Sequence, residues 1–404
     1  MQLRPLALGA ILSALAASSA AAQGAPQATA SQGDLGFGAQ VLVLYDTNSA
    51  RTGKSVASQR GLVQQEVTVT PTVTFNLSQP VGQQSLFLSG NAGYQLHQRN
   101  KALDRQTYVV NGGGVTSFGM CQASVSANFR AAQADIQDLD PLTTKNLRSS
   151  VGQGVSLQCG RPSGLGANVA VQRSETKNSE QRLRVGDSDT QSITGGVGYS
   201  HPTLGSIGVS YVYDTNTFPN RTIPGRPIGD GYFTESFGLT GQRSLGRLSV
   251  SLAASRFRLK REFAPVGTSQ TLKGTTYGGQ ATLDLGTRIS LSGGASRSIQ
   301  PSGRPGKLYD ISKSAKVGVS YQLGSRFDIK LDYAQATTNS NRDTSTPLLV
   351  ITDARLSSTS ASINFAQSSK LSLGLSVRYD DRQTNLPQFD YTATTVGFRA
   401  GTTF

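Results

Sequence analysis

The sequence predicts an all-β fold, a transmembrane antiparallel up-and-down β-barrel of about 18 strands, with 16 as the alternative count. Three observations favour it: an export signal at the amino end, apolar residues at every second position along most of the 404 residues, and connections that alternate between short and long. A sheet with one apolar and one polar face produces this alternation. Closing the sheet into a barrel leaves no strand edge unpaired in lipid.

The amino end has the pattern of a secretory signal peptide. Arg4 supplies a basic start, residues 6–17 are almost all apolar, and small residues follow up to Ala22. This apolar core is too short for a membrane-spanning helix. We therefore predict a signal peptide over residues 1–22, cleaved after Ala22, a flexible periplasmic leader over 23–34, and the barrel over 35–404.

Two-residue alternation defines the individual strands. In one of them, Val67, Val69 and Phe75 lie on one face, and threonines lie on the other. Eight short connections alternate strictly with nine long ones, and this count gives 18 strands. The long connections fall near residues 47–60, 97–104, 134–144, 174–189, 214–230, 260–272, 297–308, 335–347 and 380–389.

This alternation of loop lengths places every long loop at one end of the sheet. Bacterial outer-membrane barrels have this asymmetry, with short periplasmic turns and long extracellular loops. In the last strand, Val396, Phe398 and Phe404 share a face, and the sequence stops at Phe404. That ending resembles the C-terminal signature of bacterial outer-membrane proteins, which implies that the barrel-assembly machinery recognises Phe404. We predict an outer-membrane location, with lipid around the barrel.

A repeated tetrapeptide, Tyr-Asp-Thr-Asn, occupies residues 45–48 and 213–216, and Pro71 lies within the second predicted strand. On these features the chain resembles the type 2 group of proteobacterial β-barrel porins, which is often encoded beside exopolysaccharide genes. The resemblance implies a porin-like channel, with exopolysaccharide, its secretion proteins or another hydrophilic solute as partners. The alternative is a surface barrel with a closed lumen, whose extracellular loops bind polysaccharide or a partner.

Each copy of the tetrapeptide is placed where a strand meets a long loop. Tyr45 and Tyr213 then belong to an outer aromatic girdle. Asp46 and Asp214 begin loops, where such side chains bond nearby backbone amides. We interpret the motif as a way of leaving a strand rather than as a ligand site.

The charge and the histidines limit the classes of function. The formal net charge is +14 and the isoelectric point is about 9.9. Without a Lys/Arg cluster in an exported chain, this excess does not indicate nucleic-acid binding and fits a mildly cationic pore. The two histidines, His97 and His201, are predicted at opposite ends of the barrel, and no nucleophile motif accompanies His97. We expect no enzyme activity, no cofactor and no metal.

The two cysteines are predicted to face each other. Cys121 opens one strand and Cys159 ends the next, so a symmetric hairpin places them opposite. Opposed Cβ atoms approach disulfide geometry, and the periplasm is oxidising. We predict a structural disulfide, with two free thiols as the alternative.

The barrel interior is the predicted functional surface. A water-filled lumen must be polar in any such barrel, and this simpler explanation is favoured. The more specific alternative is a conduit for a hydrophilic polymer or solute, either neutral or anionic. The long loop 214–230 is a candidate constriction if it folds inward, with Arg221 and Arg226 as selectivity residues. The lumen candidates are Glu66, Arg130, Arg148, Asp284, Lys316, Lys330, Arg378 and Arg399.

Overall fold

The computed structural model describes residues 34–133, 146–221, 229–262, 271–302, 307–342, 351–368 and 370–404. The predicted signal peptide and nearly all of the predicted leader lie outside these residues. No helix within the described ranges is long and apolar enough to cross a membrane. A short helix, α1, spans Lys54–Gln59, and three 3₁₀ turns span Lys101–Leu103, Gln181–Gly186 and Pro387–Phe389.

Eighteen antiparallel strands form one sheet, in which each strand pairs with its neighbours in sequence and β1 pairs with β18. They are β1 Asp34–Asp46, β2 Glu66–Val81, β3 Gln84–His97, β4 Arg105–Phe118, β5 Cys121–Gln133, β6 Leu147–Gly160, β7 Gly164–Asn178, β8 Ser188–His201, β9 Gly205–Phe218, β10 Asp230–Leu245, β11 Leu248–Arg261, β12 Thr271–Leu285, β13 Ile289–Pro301, β14 Lys307–Leu323, β15 Phe327–Arg342, β16 Asp353–Ala366, β17 Leu371–Thr384 and β18 Tyr391–Thr403. The predicted fold and the count of 18 strands are confirmed, and β1 begins one residue before the predicted barrel.

The barrel closes without a free edge. Tyr45 of β1 lies opposite Val67 of β2 on one side and opposite Val396 of β18 on the other. The backbone N–H of Phe404 donates to the carbonyl oxygen of Phe37 at 2.8 Å. Closure satisfies the backbone polar groups of the first and last strands, as a strand in lipid requires.

The two faces of the wall follow from the register. Residues directly opposite each other on paired strands lie on the same face, and successive residues alternate. Val73, Leu165 and Phe237 lie outward and are more than half exposed. Serines and threonines such as Ser124 and Ser156, whose hydroxyls are 2.6 Å apart, lie inward. An apolar exterior around a polar interior suits a barrel in a membrane.

The short connections lie at one end of the barrel, the turn end, and the long connections lie at the other, the loop end. Glycines with positive φ at Gly82, Gly119 and Gly246 make tight turns at the turn end, where a side chain would be strained. The alternation of short and long connections is as predicted.

Several strands extend further into the predicted long connections than expected, and β9 is the one that changes an interpretation. β9 continues to Phe218 instead of ending at Tyr213, because its polar residues keep their pairing with β8 and β10. The second tetrapeptide is therefore inside a strand. Asp214 does not begin a loop, and Asn216 Oδ1 accepts a hydrogen bond from Thr190 Oγ1 at 2.9 Å.

The cysteines lie at the turn end of β5 and β6. Cys121 is directly opposite Cys159, with their Cα atoms 4.0 Å apart, and the two sulfur atoms form a disulfide. Both side chains share the outward face with Val125 and Val155.

Candidate functional site

The first long connection, residues 47–65, folds onto the inner wall of the barrel; we call it the L1 loop. Arg51 carries the contact. Its Nη2 lies 2.6 Å from Asp46 Oδ2 and 3.4 Å from Thr395 Oγ1, and its Nη1 lies 3.7 Å from Asp380 Oδ2. The neighbours Tyr45 and Tyr379 face outward, so Asp46 and Asp380 face the lumen. The loop therefore narrows the mouth from inside.

The L1 loop has a small core of its own. Ala50, Ala57 and Leu62 pack with Leu103 of the next long connection, and all four are buried. The backbone N–H of Gly53 also donates to the carbonyl oxygen of Gln388 at 3.1 Å. L1 is thereby held to long connections on both of its sides.

Glu66 anchors this arrangement and is not the open lumen residue that was predicted. Its side chain faces inward but is only 1% exposed. Its carboxylate accepts hydrogen bonds from the backbone N–H groups of Val67 and Arg99 at 3.0 Å and of Asn100 at 2.7 Å. The connection after β3 covers the end of β2, so the carboxylate binds amides instead of water or solute.

The first tetrapeptide also serves the L1 loop. Asp46 Oδ1 accepts the backbone N–H of Asn48 at 2.7 Å, which is the local bond expected of a strand exit. Asn48 is itself buried, and its Nδ2 donates to the carbonyl oxygens of Thr52 and Thr392. This copy therefore fixes the path of L1 across the last strand.

A second buried group lies inside the loop end on the far wall; we call it the aromatic cluster. It consists of Phe218, Tyr232, Phe257 and Leu259. The rings of Phe218 and Tyr232 meet edge to face, with centroids 6.0 Å apart. These side chains lie on the inner face, because Phe237 and Leu252 of the same strands face outward.

A buried carboxylate holds the aromatic cluster together. Asp230 receives two hydrogen bonds of 3.0 Å from Arg261 and one of 3.1 Å from the Tyr232 hydroxyl. Such a bidentate pair is strong when its remaining hydrogen bonds are also made. The Asp230 side chain is fully buried.

Arg221 belongs to this cluster and is not a free selectivity residue. Its guanidinium stacks 3.9 Å from the centre of the Phe218 ring, and its Nη1 lies 3.5 Å from Asp230. Its Nη2 donates to the carbonyl oxygen of Ser302 at 2.7 Å. The side chain is 11% exposed, and its charge is paired with Asp230 inside the cluster and is not presented to solutes in the lumen. Arg226 lies outside the described residues.

The two inward groups face each other across the barrel. In the closed order of 18 strands, β1 and β10 are as far apart as two strands can be. A barrel of this size leaves an aqueous channel unless something fills it. L1 and the aromatic cluster therefore narrow the mouth from opposite sides, and the walls between them are β4–β6 and β14–β16.

Those remaining walls carry most of the predicted lumen cations. Arg130 and Arg148 lie near the loop end of β5 and β6. Lys316 lies midway along β14, and Lys330 lies near the turn end of β15. Because β5 is opposite β14 in the closed strand order, these cations lie on facing walls. Along the barrel they follow one another from the loop end toward the turn end.

The exposed charges on the inner wall are unequal in number. Six exposed cations face inward on the described strands, against two exposed anions and one that is partly exposed. The cations are Arg130, Arg148, Lys316, Lys330, Arg378 and Arg399, and the anions are Asp284, Asp332 and the partly exposed Asp328. Some cations have local partners: Lys330 lies 3.1 Å from Asp328, and Arg378 lies 2.8 Å from Asp380. The open surface is mildly cationic.

Arg51 and Asp380 are not among the site residues predicted from the sequence. One signal was present, since the L1 loop is long and contains the helix-compatible run that forms α1. The contact between Arg51 and Asp380 joins the first long connection to β17, which is distant in the sequence. Within the described ranges, no group of three or more His, Cys, Asp or Glu side chains could hold a metal ion.

No protein-family model matches the chain, and no curated protein sequence matches it. Solved structures share its fold. OccK2 (OpdF) of Pseudomonas aeruginosa, in complex with glucuronate, aligns over 92% of this chain and 98% of its own, at 10% identity and a TM-score of 0.50. OccK9 (OpdG) of that organism covers the same shares at 11% identity and a TM-score of 0.50. The outer membrane protein OpdK of that organism covers 92% and 99% at 10% identity and a TM-score of 0.49.

At such identities the likeness shows the fold alone. The chain is a closed antiparallel barrel of 18 strands, of the kind found in outer-membrane proteins. Membership of the type 2 porin group and the link to exopolysaccharide stay predictions.

Proposed function

We propose that this protein is an outer-membrane channel for small hydrophilic solutes. One observation carries the proposal: L1 and the aromatic cluster narrow opposite sides of the mouth, while the walls between them keep exposed polar and charged side chains. A lumen lined in this way lets water and small solutes pass, and a narrowed mouth limits their size.

The outer surface supports the membrane location. Valine, leucine, phenylalanine and tyrosine side chains face outward on successive strands and are exposed. Tyr379, toward the loop end of β17, and Tyr199, near the turn end of β8, are among them, as expected of aromatic girdles at the two interfaces. The loop end is then extracellular and the turn end periplasmic. Processing at Ala22 and recognition of Phe404 by the assembly machinery belong to the same proposal.

The solute class follows from the charges. Six exposed inward cations against three anions favour small anions over cations to a modest degree. Glucuronate, the ligand in the OccK2 structure, is a small anionic sugar acid and a suitable first probe. Exopolysaccharide as the solute rests on the sequence resemblance alone, and the narrowed mouth argues against a wide polymer.

Planar bilayers and liposomes test the proposal together. We expect discrete conductance steps in potassium chloride and a reversal potential that indicates weak anion preference. Liposomes should swell faster in glucuronate than in a neutral polymer too large for the mouth. Silent bilayers, combined with polysaccharide binding at the loops, would instead favour the closed surface barrel.

A further inference from the structure

A basic surface covers the outside of the barrel on β11–β14; we call it the outer basic patch. Arg258 is directly opposite Lys273, and Arg297 is directly opposite Lys313, so each pair shares a face. That face is the outer one, because Tyr277 lies opposite Arg297 and is exposed outward. The patch consists of Arg256, Arg258, Lys260, Lys273, Arg297 and Lys313.

Few anions match the outer basic patch. Glu235 lies directly opposite Arg258, and Glu262, just after β11, shares the outer side with Gly231. Within the described residues, none of the six cations forms an ion pair, and they outnumber these two acidic side chains three to one. Lys260 lies over the Phe233 ring at 5.3 Å, and Arg297 donates to Thr275 Oγ1 at 3.4 Å. These neutral contacts leave the positive charge unbalanced.

Elsewhere on the same outer face, charges at the loop end are balanced. On β7 and β8, Arg173 lies 2.7 Å from Asp189, and Lys177 lies 2.7 Å from Glu175. Two cations there meet two anions, so the surface is neutral. The excess of cations on β11–β14 is therefore a local property and does not simply follow from the net charge.

An apolar groove of about 710 Å³ lies on the outer face beside the patch, toward the turn end. Leu239, Leu252 and Tyr277 form its sides, and the small residues Ala254 and Gly279 leave the space between them. Ala254 is directly opposite Tyr277, which is directly opposite Arg297. The groove thus begins where the basic patch ends.

The patch also has the height expected of lipid headgroups. On β11, the outward series from the turn end is Leu248, Val250, Leu252 and Ala254, followed by the cations. An apolar band is about 25 Å tall, and tilted strands cross it in about 10 residues. The basic side chains therefore lie at the upper edge of the band, in the outer leaflet.

We propose that the outer basic patch and the groove together bind an acylated lipid whose headgroup carries several phosphate groups. Guanidinium and ammonium groups bind phosphates through charge-assisted hydrogen bonds. The groove accepts an acyl chain, which a soluble polyanion lacks. This site is on the lipid side of the wall, and it rests on the proposed membrane location but not on the channel activity.

Binding of bisphosphorylated lipid A to the full chain in detergent micelles tests the proposal, with native mass spectrometry as the readout. The variant is Arg258→Gln with Lys273→Gln, and its matched control is Arg173→Gln with Lys177→Gln. At roughly fivefold per cation near an anionic headgroup layer, we expect the variant to bind about 30-fold more weakly. The control should bind within about threefold of the parent chain, because its cations are already neutralised by partners.

Ala295 also lines the groove, and a second variant, Ala295→Trp, fills the groove without changing any charge. We expect it to weaken lipid A binding while leaving dextran sulfate binding unchanged. Equal losses in the variant and the control, or equal affinity for lipid A without its phosphates, would overturn the proposal. Loss of dextran sulfate binding in the charge variant, with lipid A binding intact, would assign the patch to a soluble polyanion.

Folding and channel activity are followed in the same samples. Heat-dependent mobility on gels shows whether each variant is a folded barrel. Conductance should be unchanged in both charge variants, because their side chains face lipid. A chain that conducts no ions but still binds lipid A would contradict the channel and leave the lipid site standing.

Discussion

Arg51 lies 3.7 Å from Asp380, so a side chain of the first loop meets the seventeenth strand inside the mouth. Arg378 binds the same carboxylate at 2.8 Å, and Ser358 donates to it at 2.6 Å. Side chains from the L1 loop, β16 and β17 therefore all contact the Asp380 carboxylate. The contact between Arg51 and Asp380 holds the L1 loop against β17, next to the place where β1 pairs with β18.

Replacing Arg51 should open the mouth. In Arg51→Ala, Asp46 and Asp380 lose the cation that joins them, and we expect docking of L1 to weaken by about 1–3 kcal/mol. Single-channel currents should rise and become noisier as L1 leaves the wall part of the time. Lys54→Ala is the control, because Lys54 is exposed on α1. Unchanged currents in Arg51→Ala would show that L1 does not limit the flow.

Reversing two lumen charges should reverse the ion preference. The variant Arg130→Glu with Lys316→Glu changes the inward charges counted above from six cations and three anions to four cations and five anions. We expect the reversal potential in a potassium chloride gradient to change sign. Arg243→Glu, which changes a charge on the outer face, should leave it unaltered. If both variants give the same reversal potential as the parent chain, Arg130 and Lys316 do not determine the ion preference.

Removing the buried carboxylate should destabilise the loop end. Asp230→Ala takes the bidentate partner from the buried Arg261, and loss of one member of a buried pair costs about 3–5 kcal/mol. Asp189→Ala breaks the solvent-exposed pair with Arg173, and water screens that pair, so the expected loss of stability is much smaller. Urea unfolding in detergent, followed by tyrosine fluorescence, measures both. Similar midpoints for the two variants would contradict the role given to Asp230.

Breaking the disulfide should lower stability without changing conduction. The bond joins residues 38 positions apart, and a closed loop of that length gives roughly 3–4 kcal/mol in the chain-entropy description. Cys121→Ser with Cys159→Ser should unfold at a lower temperature in gel-mobility assays. Reduction of the parent chain should reproduce that loss. If neither the double variant nor reduction lowers the unfolding temperature, the bond does not stabilise the barrel.

The wall of the barrel could be predicted from the sequence because lipid imposes a simple rule. Each strand that crosses the membrane must alternate apolar and polar residues, as the strand around Val67 and Val69 does. This alternation and the positions of the short turns were enough to predict the 18 strands. Most of the lumen candidates follow from the same parity. The rule weakens at the loop end, where β9 continues as a polar strand to Phe218.

The contacts that narrow the mouth could not be predicted in this way. Arg51 and Asp380 are joined only after closure, and nothing in their local sequences marks the pair. Glu66 and Arg221 have the correct inward or loop positions, but long connections bury them. Burial by a distant loop depends on tertiary contacts, and alternation along one strand contains no information about it.

The L1 contacts also impose an order on assembly. L1 follows the first strand, yet its partners Asp380, Gln388 and Thr392 come from the last two strands and the loop between them. A partly inserted sheet offers L1 only its contacts with the connection after β3, such as that with Leu103, so the entrance takes its final shape only when β1 meets β18. Protease resistance of L1 would then mark the moment at which insertion is complete.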